Sequence, residues 1–141
     1  RTITGAPGMP EARLGMQRFL MVPDPALERA RLLAPVADAL GAAEAAPGLG
    51  ILTGERPPAG PMAAWTEAFE VVEELPARER TLAAWLAARG AGIVTVRTRG
   101  GACDPDAWQR ALRGPGSVLW TVFVLRLGSD RLAYAVRRVE A

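Results

Sequence analysis

Five acids stand close enough in sequence to act in pairs: Glu70, Glu73 and Glu74, then Asp104 and Asp106. Paired carboxylates serve as general acid and base or hold a metal. Their surroundings point to plainer roles. The first group falls in a run that alternates polar and apolar residues, as the solvated face of a strand does, and Asp104 stands before a proline, where a helix cap belongs. The chain contains no histidine, so the commonest general base and metal ligand is missing beside both groups. All 17 basic residues are arginine, which removes Schiff-base and phosphate-loop lysine chemistry as well. Cys103 lies near a helix start, where a thiolate is favoured, yet it has no histidine to activate it. As the single cysteine it cannot pair within the chain, and no cysteine cluster suggests zinc. The expectation is a cytoplasmic domain with no catalytic residues, no metal and no cofactor of its own.

Two further features concern anions. Gly48-Leu49-Gly50-Ile51-Leu52-Thr53-Gly54 resembles a glycine-rich nucleotide loop in composition. It lacks the context, because no clear strand precedes it and no helix follows. The arginines are the stronger signal. Residues 1–96 hold 9 arginines and 11 acids, net −2, whereas residues 97–141 hold 8 arginines and 4 acids, net +4. A basic C-terminal third is the electrostatic footprint of a polyanion binder. The candidate contacts are Arg97, Arg99, Gly100, Arg110, Arg113, Arg126 and Arg137. Arg97 and Arg99, sharing a sheet face, would present two guanidinium forks to successive phosphates, and Gly100 would let a backbone approach. Ordinary surface arginines paired with nearby acids are the alternative.

The elements that must carry these residues follow from spacing. Arg1 to Pro23 is interrupted by Gly5, Pro7, Gly8 and Pro10 and reads as an irregular lead-in. Asp24-Pro25 signals a helix start, apolar residues recur at helical spacing to Leu40, Gly41 is a stop, and Pro35 should kink or split the helix. A connector follows, with one short apolar run, Leu49 to Thr53, that could form a strand. Alternation over Glu67 to Leu75 predicts a strand, Pro76 to Arg89 a helix with Leu82, Trp85, Leu86 and Ala88 on one side, and Ile93 to Arg97 a second strand. Asp104-Pro105 opens a short helix that stops at Gly114. Val118 to Leu127 and Leu132 to Val139 then form a hairpin about Gly128-Ser129-Asp130. The expected fold is therefore α+β, a two-layer domain with a mixed four-stranded sheet in the order strand, helix, strand, helix, strand, strand, plus an N-terminal helical extension. The longest uncharged stretch, Gly114 to Leu125, has 12 residues, short of the roughly 20 a membrane-spanning helix needs.

Several motifs in order carry a resemblance. Pro23-Asp24-Pro25-Ala26 with Arg29-Ala30, Leu40-Gly41-Ala42, Leu52-Thr53, Phe69-Glu70-Val71-Val72-Glu73-Glu74-Leu75-Pro76, Arg89-Gly90-Ala91-Gly92, and Arg99-Gly100 with Asp104-Pro105 are similar to the THUMP-like domain at the C-terminus of bacterial class I S-adenosylmethionine-dependent methyltransferases. The resemblance runs from about Phe19 to the end. It implies that residues 1–18 are the linker or tail of a methyltransferase domain, 19–64 a helical extension and connector, and 65–141 the THUMP-like core. It also implies a core topology like that of the C-terminal domain of translation initiation factor three. The partner would be the chain's own N-terminal methyltransferase domain, which would hold S-adenosylmethionine. THUMP modules accompany RNA-modifying enzymes, so the function implied is an accessory domain that helps to bind or position RNA. A structural or dimerisation module that stabilises the catalytic domain is the alternative.

Overall fold

A computed structural model of the chain describes residues 8, 13 and 15–139. Of the irregular lead-in expected over Arg1 to Pro23, residues 1–7, 9–12 and 14 fall outside the described residues, and Phe19–Pro23 is a strand instead. Among the described residues there are four α-helices and seven strands, and the strands form one sheet in the order β2-β3-β1-β4-β7-β6-β5. This corrects the four-stranded sheet expected from sequence. The three additional strands are β1 (Phe19–Pro23), β2 (Ala43–Glu44) and β3 (Leu52–Gly54). The chain divides into two compact units, residues 1–70 with 138–141, and residues 71–137.

In the first unit β1 is buried along its whole length, because it pairs antiparallel with β3 on one side and with the first residues of β4 (Thr66–Pro76) on the other. A strand buried throughout shows no polar alternation, which is why Phe19–Pro23 reads as lead-in. The expected helix is two helices, α1 (Pro25–Arg29) and α2 (Leu33–Leu40). Asp24 caps α1 by accepting from the Ala26 amide at 2.9 Å. The break follows from Pro35, whose ring would strike the carbonyl of Arg31 in a continuous helix. Arg31 instead takes a positive φ of 58°, and Pro35 falls in the first turn of α2, where no amide donor is needed. Gly41 ends α2 in the left-handed conformation. Leu27, Leu33, Val36 and Ala37 pack on Phe19, Met21, Leu52 and Ala68.

The second unit holds the rest of β4, α3 (Glu79–Ala87), β5 (Ala91–Thr98), α4 (Pro105–Leu112), β6 (Val118–Leu127) and most of β7 (Asp130–Arg138). Its order, strand, helix, strand, helix, strand, strand, is the one expected. β5 and β6 are parallel with α4 as the crossover, and β6 and β7 form the antiparallel hairpin. Helix α3 begins at Glu79, not at Pro76, because Pro76 is the last residue of β4. Leu82 and Leu86 of α3 and Trp108 and Leu112 of α4 cover Val94, Val96, Trp120, Val122, Val124, Ala133 and Ala135. Beyond the register shift between Ala91 and Val94, the alternation of β5 and β6 turns even-numbered residues toward the helices and odd-numbered ones away. Trp85 is only half-buried: it meets Trp120 edge to face with ring centres 5.1 Å apart, and the Arg89 guanidinium covers it at 3.8 Å.

Two details govern the start and the edge of this sheet. The loop Gly114 to Ser117 crosses the start of β5 through hydrogen bonds from Gly114 N to Gly92 O, Gly116 N to Ala91 O and Val118 N to Gly90 O, each 2.9 Å. Approach this close leaves no room for side chains, since a Cβ on Gly92, Gly114 or Gly116 would fall 2.1–2.4 Å from a backbone oxygen across the seam. β5 is an edge strand, and its outward Val96 amide donates to Gln109 Oε1 of α4 at 2.9 Å.

Candidate nucleic-acid interface

Three of the five carboxylates have structural occupations. Glu70 accepts from Arg18 at 3.0 Å and Glu74 accepts from the Tyr134 hydroxyl at 2.8 Å. Asp104 caps α4 by accepting from the amides of Asp106 and Ala107 at 3.1 and 3.3 Å. Among the described residues no group of three or more potential metal ligands comes together. Burial pushes the Cys103 thiol above its ordinary pKa, with Thr98 and the Arg131 charge opposing only in part. The helix start therefore does not produce a thiolate there.

The glycine-rich loop is already filled. Glu44, a charged side chain only 2% exposed, accepts from Gly48 N at 3.0 Å and from Gly50 N at 2.8 Å. Amides that would cradle a phosphate hold the chain's own carboxylate, so this segment does not fit a nucleotide or S-adenosylmethionine. The signal for Glu44 was its spacing, four and six residues before the two glycines.

The arginine set is divided between the two ends of the second unit. Arg97 lies near the end of β5 on the face away from the helices, its guanidinium 5.1 Å from the Phe123 ring centre. Arg99 lies beyond the strand's last residue, Thr98, so a sheet face shared by Arg97 and Arg99 does not form. Gly100 is in the exposed turn with φ +67°, and Arg126, exposed near the end of β6, stands opposite Arg131. Arg131, absent from the sequence-based set, is a structural residue: it donates to the carbonyls of Ala77 and Ala102, both at 3.1 Å, and lies over Trp108.

Helix α4 runs back along β5 and carries Arg110 and Arg113 to the other end. The hydrogen bond from Gly114 to Gly92 fixes Arg113 beside the start of the strand, five residues from Arg97, or roughly 16 Å along the strand. Arg137 is at this end too, because it follows Val136, the partner of Thr121. Arg89, also missed from sequence, joins them as the residue before Gly90. It donates to Trp85 O at 2.9 Å while stacked on that ring, which holds its guanidinium in one orientation. No helix among the described residues is long and apolar enough to cross a membrane.

Two helices on one face of a mixed sheet, with arginines at both ends, define an α+β module of the βαβαββ type. The chain belongs to the THUMP domain-like family, whose model matches residues 66–138. An uncharacterized S-adenosylmethionine-dependent methyltransferase of Mycobacterium tuberculosis strain H37Rv is 34% identical over 123 residues, covering 86% of this chain and 33% of the relative. The counterpart in strain CDC 1551 matches to the same extent. The chain thus spans about a third of the length of these curated relatives. A crystal structure of a candidate methyltransferase from Porphyromonas gingivalis W83 shares the fold, with a TM-score of 0.70 at 17% identity over 94% of this chain and 32% of that one.

Proposed function

We propose that this chain is the non-catalytic accessory domain of an S-adenosylmethionine-dependent methyltransferase and helps to bind or position an RNA substrate. The observation that carries the reading is the combination of a third-length match to proteins named as such methyltransferases with the exposed Arg110, Arg113 and Arg137, which form no ion pair among the described residues. The cofactor, with its methyl group activated for transfer, would reside in the remaining two-thirds of such a protein. In this reading the domain contributes positioning: guanidiniums engage phosphates without sequence preference, and the site of methylation is selected elsewhere.

The test is a titration of the chain with a fluorescently labelled structured RNA over a series of salt concentrations, beside a calorimetric titration with S-adenosylmethionine. RNA affinity should fall steeply and linearly on a logarithmic salt scale, and the cofactor should not bind. Micromolar cofactor binding would overturn the non-catalytic assignment, and absence of RNA binding at low salt would overturn the positioning role. A structural or dimerisation module is the second reading, supported by the exposed apolar side chains of Ile93, Val118 and Leu119. It predicts association that is insensitive to salt.

A further inference from the structure

The two ends of the second unit differ in what surrounds their arginines. At the end holding Arg97, Arg99 and Arg126, the acids Asp104 and Asp130 stand on the adjoining turns, and Arg131 is committed to two carbonyls. At the opposite end Arg110, Arg113 and Arg137 are exposed and form no ion pair among the described residues, whereas Arg18 and Arg138 are paired with Glu70 and Glu67. Exposed cations left without counter-charges repel one another, and an incoming polyanion relieves that repulsion. Arg110 and Arg113 line a groove of about 280 Å³ along the edge of β5 with Ile93, Val94, Gln109 and Asp106, the one acid there.

The same end presents the exposed apolar side chains of Ile93, 55% exposed in that groove, and Val118, 45% exposed, beside the close-approach glycines Gly92, Gly114 and Gly116, while Leu119, 74% exposed, is on the opposite face of the sheet. Apolar surface next to unpaired guanidiniums is the pairing that a single nucleic-acid strand offers in return, with phosphates on the cations and ribose or base on the aliphatic groups. Arg89, fixed on Trp85, adds a preoriented guanidinium.

Resting on the proposed function above, we infer that RNA docks as a single strand at the start of β5 and β6, with phosphates on Arg89, Arg110, Arg113 and Arg137 and with Ile93 beneath a base, and not at the Arg97–Arg99 end. The assay is fluorescence anisotropy of a labelled single-stranded RNA of mixed sequence titrated with three forms of the chain. One is the parent, one carries Arg110→Gln, Arg113→Gln and Arg137→Gln, and one carries Arg97→Gln, Arg99→Gln and Arg126→Gln. Circular dichroism and melting temperature establish that both variants fold. The first variant should bind at least about tenfold more weakly at low salt, with its logarithmic salt slope reduced by about 2, near 0.7 per lost contact. The second should stay within about threefold of the parent. Equal or greater loss in the second variant would overturn the inference while leaving RNA binding by the domain intact. No binding by the parent at low salt would overturn both. Sedimentation of the parent as a dimer that Ile93→Asp dissociates would make this end a protein interface and likewise overturn it.

Discussion

Gly116→Ala tests the seam that brings the arginine-bearing ends of α3 and α4 together. Gly116 has no positive φ, so any cost must come from space. Its added Cβ would lie 2.1 Å from Gly90 O, 2.5 Å from Gly90 C and 3.0 Å from Ala91 O, all backbone atoms that cannot turn aside as a side chain does. The loop must withdraw by more than about 1 Å to reach ordinary contact distance. That retreat disrupts one or two of the three seam hydrogen bonds, worth about 0.5–1.5 kcal/mol each, and adds packing strain of about 1–3 kcal/mol. The entropy advantage of alanine in the unfolded chain offsets about 0.4–1 kcal/mol. The net expectation is a loss of about 2–3 kcal/mol. Urea unfolding followed by tryptophan fluorescence reads it, because Trp85 and Trp120 lie in the same unit. Gly100→Ala is the comparison: nothing lies within 4 Å of its added Cβ, and only the φ of +67° opposes it, for about 1–2 kcal/mol. A Gly116→Ala stability within about 0.5 kcal/mol of the parent would refute the close-approach argument.

Two further outcomes can be checked in the same unit. Trp85→Ala should cost about 2–3 kcal/mol in urea unfolding, below the range for a fully buried tryptophan because this ring is half-exposed beneath Arg89. Tyr134 is 0% exposed, and burial first, then the hydrogen bond to Glu74, pushes its phenol far above the ordinary value near 10. Below pH 10 the phenol is protonated in both folded and unfolded chains, so its contribution is fully present there. As pH rises past 10 only the unfolded chain ionises and stability falls. Absorbance at the phenolate band should therefore stay flat until the protein unfolds, and a reversible native titration near pH 10 would contradict the burial.

Much of the second unit is legible in sequence because its signals are local. Asp104 caps as its proline indicates, and the hairpin turns at Gly128. The first unit is less legible. β2 and β3 have two and three residues, too few to show a period, and β1 is a short apolar run whose strand character comes from β3 and β4 lying on its two sides. Pro76 illustrates a conflict between signals: proline suits a helix start and a strand end equally, and the length of β4 decides. The arginines were identifiable by type and count, but grouping them needed the return direction of α4. That direction carries Arg110 and Arg113 away from Arg97 and leaves Arg89 close to them. Arg131 shows the other limit, since nothing in a sequence distinguishes an arginine that serves two carbonyls from one that faces solvent.

Gln109 has a consequence for how this sheet ends. An edge strand offers its outward amides and carbonyls to any extended chain nearby, and β5 is rich in β-branched residues, a composition prone to strand addition. By occupying the Val96 amide from a helix of the same chain, Gln109 gives an incoming strand a competitor that is already in place. A newcomer would have to displace that amide and forgo about 0.5–1.5 kcal/mol before making its first bond at that position. One side chain placed a helical turn before Arg113 thus raises the cost of strand addition at that position of the edge.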